Sequence, residues 1–186
     1  MTTLVERLAK NAQPLLDQPY VRRVRRNHGL EHATVHILSS RIPNLSAAGR
    51  SDGGGFWIMG DIETAQLESA VQMALRRMQN GEHSLAVHPN CGTSLLTTGT
   101  LVGLAAMAGS VGVKRGILDY FNRLPTVIML SILALIFSRP LGLQLQEHIT
   151  TLGDPGDLQV VSVKRHDRRG IRGGKMVLHR ITTTSS

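Results

Sequence analysis

Aromatic side chains are scarce: three Phe, two Tyr and one Trp in 186 residues. So few rings leave little on which nucleobases could stack. Cysteine is rarer still. Cys91 is alone, so no intrachain disulfide can form, and a reducing compartment is the default. The roles open to that thiol are metal ligand, reactive group or core filler. Charged residues make up only 18% of the chain. The first residues lack the charged-then-apolar pattern of a signal peptide. No G-x-x-x-x-G-K-S/T occurs, so the phosphate loop is absent from the motifs. No internal repeat is visible.

What is present is apolar material built from Ala, Leu, Gly and Val, and an uneven excess of positive charge. Lys and Arg number 21 against 13 Asp and Glu, a net charge of +8. One basic cluster is Arg22, Arg23, Arg25 and Arg26. A second is Lys164, Arg165, Arg168, Arg169, Arg172, Lys175 and Arg180. Near a membrane segment such clusters imply anionic lipid head groups and a cytoplasmic face. In a soluble protein they would raise nucleic-acid binding, which the shortage of rings argues against.

Periodicity divides the chain. Residues 1–19 form an N-terminal amphipathic segment, with a short helix over 4–16 that Pro14 interrupts. Residues 20–90 form an α+β region. A helix is predicted over 20–40, stopped by Pro43, then a β-hairpin turning at Asp52–Gly55 with its return strand at 56–59. A helix over 63–79 follows, ended by Asn80-Gly81. "HSLAVHP" reads as a strand. Residues 91–146 form a helical hairpin. From 91 to 113 no charge occurs in 23 positions, enough to cross a hydrocarbon core that needs about 20. Gly99 with Gly103, and Ala108 with Gly112, would let a second helix approach closely, in this chain or between protomers. A polar link over 114–123 leads to a second apolar stretch, 124–138, which Arg139-Pro140 interrupts. Two buried helices of a soluble domain are the alternative. Residues 147–186 then form a basic β-hairpin around 170–174 and a tail. The fold class expected is α+β: a small helix and hairpin domain with a transmembrane helical hairpin.

The chemistry concentrates in two motifs. In "RRNHGLEHATVH", residues four apart share a helix face, so His28 and His32 can reach one ion through their imidazoles. Glu31 lies near that face. The order His-x-x-Glu-His matches the inverted zincin pattern, in which the glutamate is general base toward water acidified by the metal. Surface histidines on an amphipathic helix explain the same letters. In "HPNCGTS", His88 and Cys91 are bent toward each other by Pro89. Cys91 also opens a long helix, with Thr93 or Ser94 as cap, where a thiolate is favoured. A turn with a buried cysteine is the plain alternative. Together His28, His32, His88 and Cys91 suit a borderline-soft ion, zinc before other divalent metals. His36 continues the stripe and is read as lining the helix. His83, His148, His166 and His179 are read as ordinary. "SDGGGFWIMG" offers either a glycine-rich turn or a backbone nest for an anion.

The pair "HGLEH" and "HPNCGTSLL", leading into an apolar helix, resembles a bacterial membrane family of unknown function. That family carries His-Gly-Ala-Glu-His and, downstream, His-Pro-Arg-Cys-Gly-Thr-Ser-Phe-Leu before a membrane helix, and is discussed as a candidate metal-dependent enzyme family. The chain resembles more closely an uncharacterised group, also a domain of unknown function, found mainly in oxygenic photosynthetic bacteria. The resemblance covers roughly residues 22–113. It implies a role for His28, Glu31, His32, His88 and Cys91, with Gly29, Pro89, Gly92, Thr93 and Ser94 as backbone support. Ala33 and Asn90 depart from basic residues of the broader family, and neither β-hairpin is matched.

Two functions follow as expectations. One is a membrane-anchored zinc-dependent hydrolase, peptidase-like by motif analogy, with Glu31 as catalytic base. The other is a non-enzymatic assembly or scaffold protein whose four ligands close a structural site. Both place the protein in a cell or thylakoid-type membrane with its soluble parts cytoplasmic. Both leave room for a membrane-protein partner or a homo-oligomer, and neither involves nucleic acid.

Overall fold

The computed structural model describes residues 2–112, 116–169 and 175–186. It is an α+β chain that divides into two compact units. One comprises 1–88 and 147–186, the other 89–146. The N-terminal segment, the 20–90 region and the C-terminal hairpin, set apart by sequence pattern, thus make one unit.

In the first unit, α1 (Leu4–Asn11) starts at a capping box in which Thr3 and Glu6 satisfy each other's backbone. A single turn, α2 (Gln13–Leu16), holds Pro14 in its first turn, where no amide partner is lost. The central helix is α3 (Pro19–Arg41). The hairpin β1 (Ala48–Asp52) and β2 (Gly55–Met59) closes through a two-residue loop, with Asp52 accepting from the amide of Gly54. Gly55 is required there, because its φ is +136° and a Cβ would strike the Ile181 carbonyl. Then follow α4 (Thr64–Gln79), β3 (Gln159–Arg169) and β4 (Lys175–Thr184). The C-terminal turn at 170–174 lies outside the described residues.

The two hairpins join into one antiparallel sheet of order β1-β2-β4-β3, with Phe56 opposite Ile181 and Ile58 opposite His179. The core is the apolar stripe of α3 (Leu30, Ala33, Ile37, Leu38) against that of α4 (Leu67, Val71, Ala74, Met78) and the sheet residues Phe56, Ile58 and Ile181. Burying such stripes is what orders both helices.

The predicted strand over "HSLAVHP" is instead a 3-10 turn, His83–Ala86. Its carbonyl partners come from side chains on α3, described below, so no neighbouring strand is needed.

The second unit holds α5 (Gly92–Gly109) and α6 (Ile117–Leu145). Gly142 meets Ser94, Ser138 bonds Thr98, and Gly109 meets Val127, so early residues of α5 lie beside late residues of α6 and the pair is antiparallel. Gln146 also donates to Ser94 at 2.6 Å. Small residues at the seam and hydroxyls bonded across it are how apolar helices associate where lipid removes the hydrophobic drive. The seam does not use the glycines expected: a Cβ on Gly99 or Gly103 would meet nothing, whereas Gly109 and Gly142 are in close contact. Two other expectations change. Helix α5 ends by Gly109 and does not run to 113. Helix α6 begins at Ile117, inside the supposed polar link, and continues through Pro125 and Pro140. Among the described residues one helical run, Leu118–Thr150, is long and apolar enough to cross a membrane, with mean hydropathy 1.9 and 11% of its most apolar window buried.

Candidate metal centre

Helix α3 presents three faces, each set by the 3.6-residue period. Leu30, Ala33 and Ile37 face the core. Arg25, His28 and Gly29 face the segment 148–152. His28, His32 and His36 form a stripe along which imidazoles can stack.

The segment 148–152 begins inside a wide π turn, Gln146–Thr150, where the helix ends. Arg25 donates to the carbonyls of His148 and Thr151, both at 3.1 Å, and Leu152 N–H donates to the Arg25 carbonyl. The ring of His28 donates from Nδ1 to Thr150 O at 2.9 Å. Gly29 is what permits this approach, since a Cβ there would stand 2.5 Å from the Leu152 carbonyl oxygen. Farther along the stripe, His32 Nδ1 lies 2.7 Å from Ala86 O and His36 Nε2 lies 2.9 Å from Val87 O.

A carbonyl only accepts, so each of these ring nitrogens carries the proton. The neutral tautomers are thereby fixed: His28 and His32 hold their lone pair on Nε2, His36 on Nδ1. Backbone carbonyls behind imidazoles are the usual means of orienting metal ligands. The rings of His28 and His32 have centroids 4.4 Å apart, and their ligand nitrogens come within 4.8 Å of each other. Two imidazoles and a thiol are a donor set that a borderline-soft divalent ion accepts, and His28, His32 and Cys91 are residues that could hold one. Their chemistry therefore fits the metal that the motifs imply. Cys91 is buried and is itself the N-cap of α5, its Sγ accepting from Thr93 N–H at 3.4 Å, a role expected of Thr93 or Ser94. Amide donation of this kind favours thiolate.

His88 lies nearer to His36 than to His32. The His88 ring lies 4.8 Å from that of His36 and 6.1 Å from that of His32. Burial, with the imidazoles of His36 and His32 beside it, pushes His88 down to about 4, so at neutral pH it is uncharged.

Glu31 is buried, and its carboxylate turns toward β1. Ser51 Oγ donates to its Oε2 at 2.5 Å, and its Oε1 fills the space where a Gly49 side chain would be. Burial raises its pKa, against the Ser51 hydrogen bond and the nearby His28, which lower it.

The basic residues divide. Arg25 and Arg26 are buried, Arg26 pairing with Asp157 at 2.7 Å. Arg180 grips Asp52 with both its terminal nitrogens, at 2.7 and 2.8 Å. That pair holds Asp52 below the usual carboxylate range and employs it structurally. Arg172 lies outside the described residues. The site residues that sequence reasoning missed are Ser51, Ala86, Val87 and Thr150. Three act through backbone carbonyls, for which side-chain letters carry no signal.

Fold and donors together define an α+β protein with a histidine-lined central helix and, among the described residues, one helix of membrane-crossing length. The chain belongs to the family described as a domain of unknown function, DUF6391, which its residues 23–163 match. It is also similar to an uncharacterised protein of Picosynechococcus sp. (strain ATCC 27264 / PCC 7002 / PR-6), 33% identical over 139 residues, which is 69% of this chain and 65% of that relative. The matched region thus spans about two thirds of the relative's length. No solved structure matches.

Proposed function

We propose that this protein is a membrane-anchored metal protein in which His28, His32 and Cys91 hold a divalent ion, zinc by preference, and that it acts as a hydrolase. The observation that carries the reading is the anchoring of His28 and His32 by Nδ1–H to backbone carbonyls, which leaves both lone pairs on Nε2 with the rings 4.4 Å apart. Cys91 is three residues past His88 in sequence. Three protein ligands are the number characteristic of catalytic rather than closed sites. A bound ion would supply Lewis acidity. Glu31 would accept a proton from the attacking water at its carboxylate. The raised pKa suits that task, and the Ser51 hydroxyl would fix its orientation. Peptide substrates remain an analogy with the inverted zincin order of His28, Glu31 and His32.

The second reading, a non-enzymatic scaffold with a structural ion, is favoured by the same Ser51 bond. A carboxylate committed to β1 is also what a purely supporting group looks like. The apolar run Leu118–Thr150 supports anchorage in either case.

Metal analysis of the detergent-purified chain tests the first claim. About one zinc per chain at the thiol-containing position is expected, lost in His32→Ala, and its absence from the unsubstituted protein overturns both readings. Glu31→Gln then separates them. Retained metal with lost hydrolysis supports the base, whereas unfolding or loss of metal supports the scaffold.

A further inference from the structure

The four imidazoles of the first unit form a row in the order His28, His32, His88, His36. Its spacings are uneven: 4.4 Å, then 6.1 Å, then 4.8 Å between ring centroids. Two imidazoles bound to one tetrahedral ion, with metal–nitrogen distances near 2.0–2.1 Å, place their ring centres roughly 5 Å apart. The outer spacings match that figure and the middle one exceeds it. The row therefore reads as two pairs and not as one four-membered set.

In the second pair one ring is oriented as those of the first pair are. His36 is tied through Nε2–H to Val87 O, which puts its lone pair on Nδ1. His88 is the next residue after Val87, so the same stretch of backbone that orients His36 delivers the second ring. His36 is half-buried, as is His88, so solvent can reach the pair. The two rings meet edge to face, at 68° between planes.

We propose that His36 and His88 form a second metal position, separate from that of His28, His32 and Cys91, with two imidazole ligands and the remaining coordination open. It takes a divalent ion that tolerates nitrogen-only protein donors, such as zinc, cobalt or copper. It removes His88 from the first ion and gives His36 a role beyond lining the helix.

The test uses the full chain in detergent, stripped by chelator and titrated with Co2+. Thiolate ligation adds an intense near-ultraviolet charge-transfer band that imidazole ligation lacks. Two equivalents are expected, only one of them raising the thiolate band. His36→Gln with His88→Gln should bind one equivalent and keep that band in full, which also reports that the first position still folds. One equivalent in the unsubstituted chain, with the band unchanged by the double substitution, overturns the proposal. Loss of the thiolate band in the double variant overturns it too, provided the single variant His36→Gln behaves alike and Trp57 fluorescence shows native packing. A chain that binds one ion without any thiolate band, and none after the double substitution, refutes the first position and leaves the second standing.

Discussion

A histidine's role here is decided by which ring nitrogen meets a carbonyl. His28, His32 and His36 each spend one N–H on backbone, whereas His179 sits fully buried on β4, with Nε2 3.0 Å from Thr64 Oγ1. Its Nδ1 meets no hydrogen-bond partner among the described residues. Burial, then Arg165, depress its pKa, so it is neutral in the fold. The unfolded chain titrates at the ordinary value near 6.5. Between that value and the lower folded one, the unfolded state binds more protons. Stability is therefore full above about pH 6.5 and is lost as pH falls below it. Chelated protein should unfold more easily at pH 5.5 than at 7.5, as read from Trp57 fluorescence in denaturant. His179→Gln, which keeps a polar group for Thr64, should flatten that dependence. An unchanged slope would remove His179 from the account.

At the scale of elements, α3 is held from three sides, one of them facing 148–152. Gly29 looks unfavourable within a helix, where Ala is better by about 1 kcal/mol. Here the balance reverses. The Cβ of alanine would stand 2.5 Å from the Leu152 carbonyl oxygen, which is backbone already fixed by its amide's bond to Arg25. Overpacking of this kind costs about 1–3 kcal/mol and outweighs the propensity gain. Gly29→Ala should therefore lower stability by up to about 2 kcal/mol, and it should weaken metal binding by displacing Thr150 from His28. Thermal melts with and without added zinc check both effects; a stabilised variant would show that the segment yields. The helices and both hairpins were legible from period, Gly and Pro. The "HSLAVHP" turn was not, because its alternating letters suit a strand, and only the imidazoles of α3 explain why its carbonyls need none. The seam of α5 and α6 was misread for a similar reason. Glycine spacing shows that a close approach is allowed, but not which face the neighbour takes.

For the whole molecule, the exposed apolar surface of α6 predicts that the chain stays with membranes after alkaline carbonate extraction and needs detergent for release. Recovery in the soluble fraction would instead assign that helix to a protein interface. Composition and motif order by themselves determined the α+β class, the apolar segment, and His28, His32 and Cys91 as candidate donors. These rest on local period and on side-chain chemistry, which the letters carry directly. Tertiary structure decided the rest. It placed His88 beside His36, turned Glu31 onto Ser51, and drew Arg25 and Arg26 from an expected lipid collar into the interior. The reason is that backbone carbonyls at Ala86, Val87 and Thr150, identical in every sequence, become specific partners only when distant segments are folded against one helix.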